Sequence, residues 1–242
     1  MSTQHETPLG TLRVLPEDAF FRATAEFIAQ TAEGDGNRTV ALTGGSTPKG
    51  FYAWAREAKP FSSQTLQRVR WYTSDERMVP LESEESNFGV ADRGLFTPLG
   101  VKEGRKFPWP VMVDAHSAAG VFNTRWDETY GRDDCFDLCF LGMGDDGHTA
   151  SIFPGSPLIE TPIPDNFACV EVPEKGWRLT VTREGLGRCG RIVLLVMGAK
   201  KAAVLKEAIE GPLGRFPVQL LADQQERVTL LADAAAAGEL SL

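Results

Sequence analysis
The chain has 242 residues, 42% of them hydrophobic, enough to bury a sizeable core in one large domain or two small ones. Its 33 acidic against 25 basic residues leave a formal net charge of -8, a field that argues against nucleic acid or an anionic membrane surface as a general partner. No apolar stretch reaches the roughly 18 to 20 residues of a membrane span, and the start, MSTQHETPLG, has neither the basic nor the apolar region of a signal peptide; a cytoplasmic location is expected.

In chain order, Glu17 to Ala32 places Phe20, Phe21, Ala25, Phe27 and Ile28 on one helical stripe. Thr39 to Leu42 reads as a short strand, followed by TGGSTP and a helix over Pro48 to Glu57. Val69 to Thr73 is a second strand, running into the charged turn SDERMVP. Asn87 to Leu95 and Ala118 to Tyr130 are predicted helices, separated by a loop rich in Gly, Pro and charge. Phe136 to Leu141 is a third strand, ending in GMGDDGH. Ala168 to Val172 and Arg178 to Thr182 are short β-like runs. Arg191 to Met197 is the strongest strand pattern, followed by a helix over Lys200 to Ile209; Val228 to Leu231 is a last strand before an Ala-rich helix. Strands that are apolar on both faces and alternate with helices predict an α/β fold, a three-layer, mostly parallel sheet with helices on both faces.

Cys135 and Cys139 flank a strand candidate, where four residues span about 13 Å, beyond the roughly 7 Å that a disulfide tolerates. No C-x-x-C pair is present, so the four cysteines are expected as free thiols and no metal site is predicted.

In such sheets ligands bind beyond the carboxyl ends of the strands. Four loops share that location. In TGGSTP, Gly44 and Gly45 admit close backbone approach, Ser46 adds a hydroxyl, and Thr47 is set to N-cap a helix with Pro48 at its first position, which suits a phosphate. In SDERMVP, Arg77 offers a cation and Asp75 a carboxylate. In MGAKKA, Lys200 or Lys201 stands in a first helical turn, where a cation is favoured only beside an anion. In GMGDDGH, His148 sits among Gly142, Gly144 and Gly147, with Asp146 two residues away to fix its tautomer. An imidazole is suited to general-base work near neutral pH.

The segments ALTGGSTP, WYTSDERMVP, SNFG, LGMGDDGHTASIFPGSP, RLTVT and GAKKA occur in the order found in 6-phosphogluconolactonases, and the chain resembles that family from about Ala41 to its end. The resemblance implies a single α/β domain over residues 1–242 with a glucosamine-6-phosphate isomerase-like, Rossmann-like fold. It also implies hydrolysis of 6-phospho-D-glucono-1,5-lactone in the oxidative pentose phosphate pathway, with no cofactor. The sister deaminases carry a Glu five residues after the His; here that position is Phe153, which argues against glucosamine-6-phosphate deamination. A non-catalytic sugar-phosphate sensor is the remaining alternative, opposed by the intact Asp146 and His148. One departure is Asp145, where the lactonases often carry Pro; it is expected to bear on His148 through its neighbour. The implied roles are His148 as general base, Asp146 or Asp75 as its orienting group, and Arg77 as a stabiliser of negative charge. Gly44, Gly45, Ser46, Thr47 and Lys201, with Arg178, hold the phosphate. The partner is then a small sugar phosphate lactone, and the protein a monomer or weak homodimer.

Overall fold
The structure, a computed structural model, describes residues 2–161 and 163–241. The chain opens with a hairpin, β1 (Thr3–Thr7) and β2 (Gly10–Leu15), then runs through α1 (Glu17–Thr31), β3 (Arg38–Leu42), α2 (Ser46–Ala58), α3 (Ser63–Arg68) and β4 (Val69–Thr73). A three-residue strand β5 (Asp75–Arg77), α4 (Asn87–Ala91), α5 (Ala115–Tyr130) and β6 (Leu138–Gly142) follow. The last part holds α6 (Pro157–Glu160), β7 (Phe167–Val172), β8 (Gly176–Val181), α7 (Arg183–Arg188), β9 (Arg191–Val196), α8 (Ala202–Glu210) and β10 (Val228–Asp233).

Seven strands form one sheet in the order β1-β2-β10-β9-β6-β3-β4, parallel throughout except for the β1–β2 hairpin. Side-chain alternation sends Leu138, Phe140, Val193 and Leu195 to one face, where they pack with Phe20 and Ile28 of α1 and Phe51 and Ala55 of α2. Cys139, Leu141, Ile192 and Leu194 face the other way, against Phe122 and Trp126 of α5 and Leu205 and Ala208 of α8. Both faces of the central strands are thus covered, which is why β9 reads as an unbroken apolar run. The three-layer α/β architecture is the one expected from the sequence.

Several local expectations are corrected. Asp75–Arg77 is a strand rather than a turn: it pairs antiparallel with β8, which pairs with β7, giving a separate three-stranded sheet. The helix after TGGSTP begins at Ser46 with Gly45 as its N-cap, so Thr47 lies inside the first turn and does not cap. The Ala-rich C-terminal stretch forms turns rather than the expected helix; the Asp233 carboxylate takes the backbone N–H of Ala236 at 2.7 Å and that of Gly198 at 3.0 Å, tying the end of β10 to the loop after β9. The four thiols are free, as predicted.

Candidate active site
The chain leaves β3 for β4 on one side and reaches β6 on the other. At such a reversal the loops diverge and leave a crevice beyond the strand ends. A cavity of about 230 Å³ lies there. All four predicted loops reach it: Gly44, Gly45, Ser46 and Thr47 after β3, Asp75 and Arg77 after β4, His148 after β6, and Lys201 after β9. Asp146 and Arg178 do not line it, nor does Lys200, the alternative to Lys201.

The loop after β6 is folded tightly around the imidazole. The Gly144 N–H donates to the His148 carbonyl at 2.9 Å and the Gly147 N–H to the Gly144 carbonyl at 3.1 Å. Asp146 Oδ1 lies 2.5 Å from His148 Nδ1 and also accepts the His148 backbone N–H at 3.1 Å. A carboxylate at that distance puts the ring proton on Nδ1 and leaves the Nε2 lone pair free. Burial raises the Asp146 pKa, but the hydrogen bonds and charge of His148 outweigh it and hold the carboxyl below its ordinary range. The ring of Phe153 stacks on His148, centroids 4.1 Å apart and planes 22° from parallel. Lys175 Nζ stands 4.4 Å from the Phe153 ring centre. Gly144 is obligatory for close approach: a Cβ there would lie 2.0 Å from His148 Nδ1.

Asp75 is the second carboxylate of the site, and it does not orient the imidazole. Its Oδ2 accepts from Ser151 Oγ at 2.7 Å and its Oδ1 from Asn87 Nδ2 at 3.1 Å. Burial pushes its pKa up, against the Ser151 hydrogen bond and the charges of Arg77, His148 and Arg178. Arg77 stands directly opposite Arg178 across the β5–β8 pair, and like charges so placed are destabilising without an anion between or beside them. Burial and the charge of Arg77 both lower the Arg178 pKa. The neighbouring Glu76, fully buried, accepts the backbone N–H groups of Arg77, Asn87 and Phe88 and the Ser86 hydroxyl, so it ties β5 to the start of α4. Asn87 and Ser151 thus hold Asp75, and Glu76 braces β5 behind it; none of the three was a candidate site residue from the sequence. The SNFG segment that holds Asn87 was visible as a family motif, but nothing in it announced a bond to Asp75.

On the opposite wall, α2 has 13 residues and points its first turn at the cavity. Gly45 adopts φ 110 as its N-cap, a backbone conformation that other residues resist. The free N–H groups of such a helix start suit a phosphate. Lys201 lines the same cavity, and its Nζ is paired with Asp145 Oδ1 at 2.5 Å. Asp145 therefore bears on Lys201 rather than on His148. Among the described residues no three His, Cys, Asp or Glu side chains are grouped as a metal site.

Residues 16–230 match the family described as glucosamine-6-phosphate isomerases/6-phosphogluconolactonase. The chain is 32% identical to a 6-phosphogluconolactonase of a Synechocystis species over 227 residues, covering 90% of this chain and 91% of the relative. It superposes on a 6-phosphogluconolactonase from Trypanosoma cruzi with TM-score 0.82 at 26% identity, covering 96% of this chain and 97% of that one. It shares its fold with a monomeric glucosamine-6-phosphate deaminase, TM-score 0.78 at 20% identity, covering 94% and 99% of the two chains.

Proposed function
Because the chain belongs to the glucosamine-6-phosphate isomerase/6-phosphogluconolactonase family, we propose that it hydrolyses 6-phospho-D-glucono-1,5-lactone to 6-phospho-D-gluconate, within the oxidative pentose phosphate pathway. The observation that carries this reading over its sister activity is the imidazole itself. His148 is bonded to Asp146 and stacked on Phe153, so an apolar ring covers the side of the base where a deaminase would keep its carboxylate.

Lactone opening is acyl transfer to water, and it needs a base, a positioned carbonyl and stabilisation of the developing oxyanion. His148 Nε2 takes a proton from the attacking water as its oxygen bonds to C1. The C1–ring oxygen bond then breaks, and the proton passes to the departing oxygen, which becomes the free hydroxyl of the gluconate. Asp146 holds the ring in the required tautomer. Arg77 stabilises the negative charge on the carbonyl oxygen. Gly44, Gly45, Ser46, Thr47 and Lys201 grip the phosphate, with Arg178 adding positive charge from beside Arg77. Fixing that remote group converts part of the encounter entropy into a positioned carbonyl.

A coupled assay with fresh lactone, corrected for spontaneous opening, tests the reading against ammonia release from glucosamine-6-phosphate. Faster lactone opening without ammonia is the expected result; ammonia release would establish the deaminase, and neither activity with retained sugar-phosphate binding would establish a sensor.

The phosphate assignment has its own test. Lys201→Ala removes a charge-assisted contact of about 1.5 to 3 kcal/mol, so kcat/KM should fall roughly 10- to 150-fold for the phosphorylated lactone and hardly at all for gluconolactone. An equal loss on both substrates would move the phosphate away from Lys201. The Asp146 contact is tested by two variants. Asp146 Oδ1 takes both the ring and the backbone N–H of His148, so an amide oxygen in that position keeps the tautomer. Asp146→Ala should lower kcat about 10²-fold and Asp146→Asn only about tenfold. An asparagine variant as impaired as the alanine one would mean that the carboxylate's charge, not its placement, serves the imidazole.

In the same reading residues 1–242 act as one domain, a monomer or weak homodimer, in the cytoplasm. Four free cysteines accord with a reducing compartment. No helix among the described residues is long and apolar enough to cross a membrane.

A further inference from the structure
Asp145 precedes the Asp146–His148 pair, yet its carboxylate serves another part of the site. Its Oδ1 lies 2.5 Å from Lys201 Nζ, and its side chain is 77% exposed while that of Lys201 is 25% exposed. Lys201 lines the cavity and Asp145 does not. The hydrogen bond and charge of Lys201, with help from Lys200, hold the Asp145 carboxyl below the usual aspartate range, so it is ionised at neutral pH. Among the described residues this ammonium is the carboxylate's single hydrogen-bond partner. An exposed pair of this kind is held only weakly, and the aspartate can swing into water at little cost. A phosphate monoester dianion brings more charge to the same ammonium, and the helix N–H groups of α2 favour the phosphate as well.

We propose that Asp145 is an internal competitor for the phosphate subsite: its carboxylate occupies the Lys201 ammonium between turnovers, yields to the incoming phosphate, and returns to help expel the phosphorylated product. The inference rests on the reading that Lys201 holds the substrate phosphate. The product needs such help more than the substrate does, because ring opening adds a carboxylate to a ligand already held by Lys201 and Arg77. Asp145 is then a positioning residue that acts through Lys201, and it sets affinity for phosphate monoesters as a class.

The test measures dissociation constants for 6-phosphogluconate and inorganic phosphate by calorimetry at low salt. The proteins are the wild type, Asp145→Asn, Asp145→Ala, Lys201→Ala and the Lys201→Ala, Asp145→Asn double variant. Both Asp145 variants should bind each ligand about two- to fivefold more tightly, the range an exposed ion pair covers. The KM for the lactone should fall by a similar factor while kcat does not rise. Lys201→Ala should weaken binding at least about tenfold, and Asp145→Asn should then change nothing in that background. Weaker binding in the Asp145 variants would mean that Asp145 holds Lys201 in place for the phosphate. Tightening that persists in full without Lys201 would reduce the effect to a general field, and unchanged affinity would leave the pair without a role. Each of these overturns the competition alone. Lys201→Ala with normal phosphate affinity would overturn it together with the phosphate assignment.

Discussion

His148→Ala should lower turnover of the lactone roughly 10²- to 10⁴-fold, the range for a lost general base, while affinity for 6-phosphogluconate stays close to that of the wild type. The split follows from the geometry. The groups proposed to hold the phosphate lie at the start of α2 and at Lys201, whereas His148 belongs to the loop after β6. Its ring makes its polar contact with Asp146 alone among the described residues, so its loss leaves no buried donor stranded. Two controls matter: circular dichroism must show a folded variant, and the spontaneous opening of the lactone must be subtracted. A folded variant with near-normal turnover would remove the imidazole from the chemistry and make Asp75 the next base to test.

Gly144→Ala should damage turnover nearly as much, by at least about 10²-fold, although residue 144 carries no reacting group. A Cβ there would stand 2.0 Å from His148 Nδ1, 2.2 Å from Cε1 and 2.6 Å from Asp146 Oδ1. Non-bonded atoms settle at about 3.5 to 4 Å, so the imidazole and its carboxylate must both leave their positions. The two variants should not add: Gly144→Ala combined with His148→Ala should be no slower than His148→Ala alone, because both act on one group. A Gly144→Ala enzyme within tenfold of the wild type would mean that the loop shifts freely and that the imidazole is not tied to its place.

The sequence disclosed those parts of the molecule in which burial dictates side-chain type. β9 was legible because both its faces meet helices, and α1 because one stripe of it meets the sheet. The β1–β2 hairpin was not: β1 is an edge strand, largely exposed, and its residues TQHET carry no apolar alternation. Asp75–Arg77 looked like a solvated turn because three charged side chains hide a strand whose pairing with β8 is made by the backbone. Alanine propensity pointed to a helix after β10, but Gly238 ends the run after four alanines, too short a segment to carry one, and turns form instead.

The site divides in the same way. The four loops converged as expected because each follows a parallel strand, and their ends lie on one edge of the sheet. What brings them around one crevice is the strand order, with β3 between β4 and β6, which no local pattern encodes. Asp146 was legible from its distance to His148 along the chain. The Asp145–Lys201 pair, 56 residues apart, and the Asn87 and Ser151 bonds to Asp75 depend on the packing of separate elements.

The arrangement of the two ends of the ligand is the central claim, and a crystal structure of the complex with 6-phosphogluconate tests it most directly. The phosphate should lie within hydrogen-bond distance, about 3 Å, of Lys201 Nζ and of backbone N–H groups in the first turn of α2, with the carboxylate group beside His148 Nε2. A complex in which the phosphate lies against His148 and the carboxylate at Lys201, or in which the ligand binds outside this cavity, would contradict it.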